Sequence, residues 1–331
     1  MKKNRTAVII AAFAVFIAIG FISVMSVKVG GREGYFGTPL IFSFGGKAEL
    51  RNTIEIPLSK ADKLRLDYGS KNIKVYPAEG DTVTIKEYLY SNKPEARAEV
   101  SYGKDGNALV RGGQGRSFVI FGFFVGEGER IEVCIPEKSL SQLSLETGSG
   151  NITSETDCVR EDGVFEAKAG SGNVRISNVT ADAVVLEAGS GNVRAENIEG
   201  SVTLEANSGN IDGKEITGDV SADSGSGNIR IEKLSGGITA GAGSGNVTVE
   251  AAVISGDVAL SAGSGNVKLV LPKGVDFHFR GETGSGNINT DFDEILSYDK
   301  KGDIAEGDAG QNPDIKIETH TGSGNITVRY R

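Results

Sequence analysis

From residue 148 onward, short runs of alternating apolar and polar residues restart at near-constant spacing after one pentapeptide, GSGN followed by Ile or Val. Its asparagines fall at Asn151, Asn173, Asn192, Asn210, Asn228, Asn246, Asn266, Asn287 and Asn325, with steps of 22, 19, 18, 18, 18, 20, 21 and 38 residues. The last step equals two periods. Just after each Asn comes Ile or Val, and two residues further on stand apolar side chains such as Ile176, Ile231, Val249, Leu269 and Val328. Between them lie Thr153, Arg175, Arg194, Asp212, Arg230, Thr248, Lys268, Asn289 and Thr327. Period-two alternation predicts a short strand with one buried face. Val179, Ile198, Ile216 and Leu234, six residues past Asn, supply a second inward stretch, and pairs such as Val202 with Leu204 before the next Asn supply a third. A period near 19 residues without helical spacing marks a solenoid. The expected fold is all-β: a parallel β-solenoid, or single-stranded β-helix, of about 18–22 residues per coil.

Composition supports order in place of looseness. The 331 residues include 47 Gly, 7 Pro, 2 Cys and no Trp, and 38% are hydrophobic, enough to bury a core. The glycines are expected at corners, where Gly takes positive φ freely and Asn tolerates the left-handed region. The nine asparagines are read as structural corners whose amides stack in a ladder. A phosphate-binding glycine loop would need a helix after the motif, and a strand follows. The calcium nonapeptide repeat would need acids where Asn stands, so neither metal nor cofactor is expected.

At the amino terminus, residues 7–27 are almost wholly apolar and follow Lys2, Lys3 and Arg5. A run of this length spans a ~30 Å hydrocarbon layer, with the cations kept inside. This predicts a cytoplasmic tail at 1–6, a transmembrane helix at 7–27 with a cleaved signal peptide as the competing reading, a linker and first strand at 28–48, divergent coils at 49–147, and a regular solenoid at 148–331 outside the membrane, interrupted by an insertion at 291–313. The expected location is the cell membrane, single-pass. Cys134 and Cys158 would then meet a compartment that permits a disulfide, although a buried thiol is the plainer reading.

The repeated GSGN-[IV]-x-[IV] segments and the amino-terminal anchor resemble the putative-adhesin β-solenoid family, a bacterial domain of unknown function that includes LiaG-like proteins of envelope-stress operons. The resemblance covers about residues 50–331. It implies a secreted or membrane-anchored parallel β-solenoid, and it brings no catalytic residues with it.

Charge and insertions point to candidate surfaces. Net charge is -9, with no basic tail beyond residue 5, which argues against nucleic acid as partner. Arg175, Arg194, Arg230 and Lys268, two residues after Asn, form a partial basic column. Glu146, Glu187, Glu205, Asp223 and Glu282, five before Asn, form an acidic one. Mutual neutralisation across the corner is the plain expectation; binding of a charged cell-wall polymer is the functional one. The aromatic run at 117–125, with Phe121 and Phe124, is read as a cap or as a patch touching the membrane or another envelope protein. The 291–313 insertion is read as an acidic capping loop without strand alternation. His278 and His320 are expected to face outward, and no HExxH, GxSxG or cysteine-histidine pattern is present. The function expected is non-enzymatic binding or scaffolding, as an adhesin or a stress-associated envelope protein. The rivals are a polysaccharide-acting β-helix enzyme and a self-assembling solenoid, and oligomeric state is left open.

Overall fold

The computed structural model describes residues 47–103, 105–113 and 128–331. Residues 47–331 form one compact unit. Strands dominate; among the described residues the only helical elements are short 3-10 turns at Pro94–Ala96 and Asp293–Ile295. The expected membrane helix at 7–27 and the Phe121 and Phe124 patch lie outside the described residues. No helix among the described residues is long and apolar enough to cross a membrane.

Each coil is named here by its corner Asn, with a lead strand running into the corner and a trailing strand leaving it. Lead strands pair in parallel with lead strands, and trailing with trailing: Val202, Val220, Ile238 and Val258 stand in line, as do Val193, Ile211, Ile229 and Val247. The alternation read from the sequence is the burial pattern found. Val174, Ile176, Val179, Val184 and Leu186 are all at most 1% exposed, and their counterparts in later coils are buried likewise. Stacking buries one continuous core because each coil alone leaves its apolar stripe open along the axis.

The asparagine ladder runs through every corner. Each Asn Oδ1 accepts the backbone N–H of the next Asn, at 2.9 Å for Asn192 to Asn173, Asn210 to Asn192 and Asn228 to Asn210. The next Nδ2 donates to the same oxygen, at 3.1–3.3 Å in those corners. Asn72, in the YGSKNIKV segment, joins the same ladder by accepting from Asn151 N–H at 2.8 Å. Aspartate could accept these bonds, but a column of carboxylates at the coil spacing of about 4.8 Å would repel itself.

The corner glycines act differently from the expectation. No glycine of a GSGN corner has positive φ; the left-handed residues sit elsewhere. At the glycine before Asn, a Cβ would overlap the carbonyl oxygen of the same glycine one coil back, as for Gly172 on Gly150, Gly191 on Gly172 and Gly209 on Gly191. Backbone approaches backbone at this corner, so the requirement is steric space along the stack. Lys71 occupies the equivalent place in the Asn72 coil, whose outer neighbour is the strand Arg130–Pro136 and not another GSGN corner.

A true left-handed column stands five residues past Asn, at Asn178, Asn197, Glu215 and Lys233, with φ of 57°, 55°, 56° and 55°. Asn197 Nδ2 donates to Asn178 Oδ1 at 2.8 Å, and Lys233 pairs with Glu215 at 2.6 Å. Asn197→Ala and Asn197→Gly both delete the amide bond, but only Ala keeps the strain of φ > 0. The Ala variant is expected to be less stable than the Gly variant by about 1 kcal/mol, read from urea midpoints.

The coils at both ends are stacked out of chain order. At the carboxyl end, the Asn325 coil (Ile315–Thr321 and Ile326–Tyr330) lies between the Asn266 coil (Val258–Ala262 and Val267–Leu271) and the Asn287 coil (Phe277–Thr283 and Ile288–Thr290). The 38-residue step is therefore not two successive turns of a rising spiral. The chain skips one place, builds the end coil, then returns to fill the gap. Residues 291–313 cover the end, and strands form inside that insertion: Ile304–Ala309 runs antiparallel to Phe277–Thr283, with Ser297–Tyr298 beyond it. Phe292 packs edge-on against Phe277 and Phe279, at 5.2 and 5.4 Å between ring centres.

The amino end mirrors this arrangement. The Asn72 coil (Lys63–Tyr68 and Asn72–Ala78) lies between the Asn151 coil (Leu140–Thr147 and Ile152–Ser154) and an outer coil of Asn107–Arg111 and Arg130–Pro136. Antiparallel strands Thr82–Leu89, Glu49–Pro57 and Glu99–Tyr102 close this end. Thus residues 49–147 mix coils with an antiparallel cap. Cys134 and Cys158 are both free thiols, and burial pushes that of Cys158 up to about 12.

Candidate functional surface

The trailing-strand face carries the basic column. Arg175 stands beside Arg194, but Asp212 separates Arg194 from Arg230, and Thr248 separates Arg230 from Lys268. Two of the arginines are neutralised within their own strands, two residues along: Arg194 meets Glu196 at 3.2 Å and Arg230 Nε meets Glu232 at 2.9 Å, whereas Ser177 stands at that place after Arg175. Lys214 extends the network by reaching Glu196 at 3.2 Å. Hydrogen bonds from Lys214 and Arg194 hold the Glu196 carboxyl below the usual carboxylate range. Neutralisation across the GSGN corner, expected from the sequence, is not the arrangement found. Side chains two apart on a strand share a face, whereas the corner turns the acidic column onto a different one.

That acidic column lies on the lead-strand face. In stacked order it reads Asp67, Glu146, Lys168, Glu187, Glu205, Asp223, Gly241, Ser261, His320 and Glu282. Lys168 bonds Glu187 at 2.7 Å, and Arg65 bonds Glu146 at 2.8 Å. Between Asp223 and His320 the large side chains are missing. Ser221, Thr239, Gly241, Ala259 and Ser261 leave a shallow trough of about 420 Å³. Its walls are Asp223 on one side and Arg280, Glu282, Glu318 and His320 on the other.

Arg280 is engaged by Glu306 at 3.3 Å and Glu282 at 3.6 Å, while Asp223 and Glu318 have no ion-pair partner among the described residues. The walls therefore offer carboxylates, and the floor offers hydroxyls and backbone. Glu318 and His320 reach this site only because their coil is stacked out of order beside Ser261. A signal for the trough existed in the sequence: Gly241 and Ser261 stand where other copies carry an acid, Lys or His. The two histidines differ in setting. His320 lines the trough, and His278 Nδ1 contacts Asp308 at 2.6 Å. No group of three or more metal-ligating side chains gathers among the described residues.

A family model described as Toastrack DUF4097 matches residues 61–329. The chain belongs to the Toastrack family. Two solved structures are similar to this Toastrack chain. One is a putative adhesin from Bacteroides fragilis NCTC 9343, 18% identical, covering 84% of this chain and 96% of that one, with a TM-score of 0.40. The other is a putative cell adhesion protein from Clostridium sporogenes ATCC 15579, 15% identical, covering 85% and 98%, with a TM-score of 0.24. Comparison with curated proteins gives no match. Within this Toastrack chain, the family match spans both out-of-order coils and the trough.

Proposed function

We propose that this protein is a non-enzymatic binding solenoid, tethered to the cell membrane through residues 7–27 and working outside it. The trough carries this reading. It is the place where the outward column loses its large side chains between carboxylate walls, so that an extended polymer can lie against the sheet. Its chemistry favours a ligand bearing amines and hydroxyls, since Asp223, Glu282 and Glu318 outnumber Arg280. Adhesion to such a polymer in the envelope fits the names carried by the two similar structures. The trough is open to solvent, and its outward carboxylates are not enclosed as an acid–base pair for glycosidic cleavage would be, which supports binding over chemistry.

The test uses the full chain in detergent micelles and two soluble polysaccharides, chitosan as the amine-bearing probe and polygalacturonate as the anionic one. Chitosan is expected to be retained in a salt-sensitive manner, and polygalacturonate is not. Gly241→Arg should reduce chitosan retention at least tenfold without altering the fold. A Cβ at Gly241 would come no nearer than 3.2 Å to Ser261 Oγ and 3.4 Å to Asp223 Oδ2, so the backbone need not shift. Equal retention of both polymers, or no effect of Gly241→Arg, would sink the proposal. Shortening of the chitosan during incubation would mark an enzyme instead.

A further inference from the structure

We propose that the Asn325 coil is an exchangeable unit, and that its seat between the Asn266 and Asn287 coils also accepts the same segment from a second copy of this chain. The seat is built by two coils that are neighbours in sequence, linked only by residues 272–276, and the coil that fills it arrives after the end cap. In the three lead strands Val258, Ile317 and Phe279 occupy one register, and in the corners Asn266, Asn325 and Asn287 form one unbroken ladder. The contacts that hold the coil are thus the general ones of the repeat, and they are identical whether the segment comes from its own chain or another.

A second, independent feature marks this seat. At the place four residues before Asn, junctions between coils consecutive in sequence carry Ala169, Ala188, Ala206, Ala242 and Ala262, with Ser224 the one polar member. The two junctions of the seat carry threonine. Thr321 Oγ1 donates to Gly265 O at 2.7 Å on one side of the seat, and Thr283 Oγ1 donates to Gly324 O at 3.0 Å on the other. The junction between the Asn72 and Asn151 coils, also out of chain order, repeats this with Thr147 Oγ1 donating to Lys71 O at 3.0 Å. Both faces of the seat therefore carry a hydroxyl clasp, and the same bond from Ser224 Oγ to Gly209 O at 3.0 Å, inside the regular stack, shows that such a clasp recognises backbone that any copy presents.

The hinge is the exposed segment 310–314, whose backbone is steadied by Asp276, which accepts from Gln311 and Asn312 N–H at 3.0 and 3.1 Å. Exchange of one identical element through such a hinge alters connectivity without adding or losing a ladder contact. Competition is then set by concentration, because a tethered segment has an effective concentration in the millimolar range.

Ser261 and His320 are exposed register partners on adjacent parallel strands, a spacing of about 4.8 Å that a disulfide tolerates. Full-length Ser261→Cys and His320→Cys chains are unfolded, mixed, refolded together and oxidised, and the linked peptides are identified by mass spectrometry. Chains joined through positions 261 and 320 are expected, rising about tenfold between about 10 and 100 µM chain. The Ser261→Cys/His320→Cys double variant must give the same link within one chain, which establishes that the coil is seated. With that link formed, the absence of a 261–320 link between chains, or links joining only like positions, overturns the proposal.

Discussion

Gly191→Ala should unfold at a markedly lower urea concentration than the parent, with a loss of about 3 kcal/mol or more, whereas Gly69→Ala should stay within about 0.5 kcal/mol. The two glycines occupy related places in the same motif, yet their surroundings are opposite. A Cβ on Gly191 would collide with the carbonyl oxygen and carbon of Gly172 and the nitrogen of Asn173, all backbone atoms that cannot swing aside. At Gly69 a Cβ would meet nothing within 4 Å among the described residues. In an ordinary strand the side chain leaves the sheet face, but at this corner the missing side chain points along the stack into the next coil. If conformational freedom alone explained these glycines, both variants would lose the same small amount, and equal midpoints would refute the steric account.

Thr147→Val should cost about 2–3 kcal/mol although it preserves shape, because it removes both bonds of a buried hydroxyl. Thr147 is 2% exposed; its Oγ1 donates to Lys71 O at 3.0 Å and accepts Gly150 N–H at 3.2 Å. Valine leaves the amide and the carbonyl unpaired inside the junction between the Asn72 and Asn151 coils. Ala169→Val, at the same place in a junction of consecutive coils, removes no hydrogen bond and reports only the effect of added volume. Hydrogen exchange should then show the added protection loss of Thr147→Val confined to residues 49–113 and the adjoining coil. Uniform loss along the solenoid would contradict a clasp acting at one junction.

The inward positions were legible because a one-sided strand must alternate, and Val174, Ile211 and Val267 are buried as their spacing required. The asparagine ladder was legible for a similar reason, since a polar residue fixed at one place in every coil must stack on itself. Other features were hidden by ambiguity in the residues themselves. Glycine serves both positive φ and close approach, so sequence could not separate them: positive φ falls at Gly200 and Gly218 and at the non-glycine column of Asn178, Asn197, Glu215 and Lys233, not at the GSGN glycines. Arg194 and Arg230 were expected to be neutralised across the corner, but their partners are the acids two places along the same strand, Glu196 and Glu232. The trough was half visible, through the loss of charge at Gly241 and Ser261; its far wall, Glu318 and His320, came from a coil distant in sequence.

The amino-acid sequence by itself determined the coil: its period, its inward face, its corner and the all-β class that follows from repeating it. The order in which the coils meet was decided only by the tertiary structure. A repeat encodes an interface that every copy can offer to every other, so nearly identical GSGN corners cannot specify which of them become neighbours. The antiparallel strands that close the two ends set the terminal coils apart from the rest, and the hydroxyls of Thr147, Thr283 and Thr321 fasten the junctions formed there.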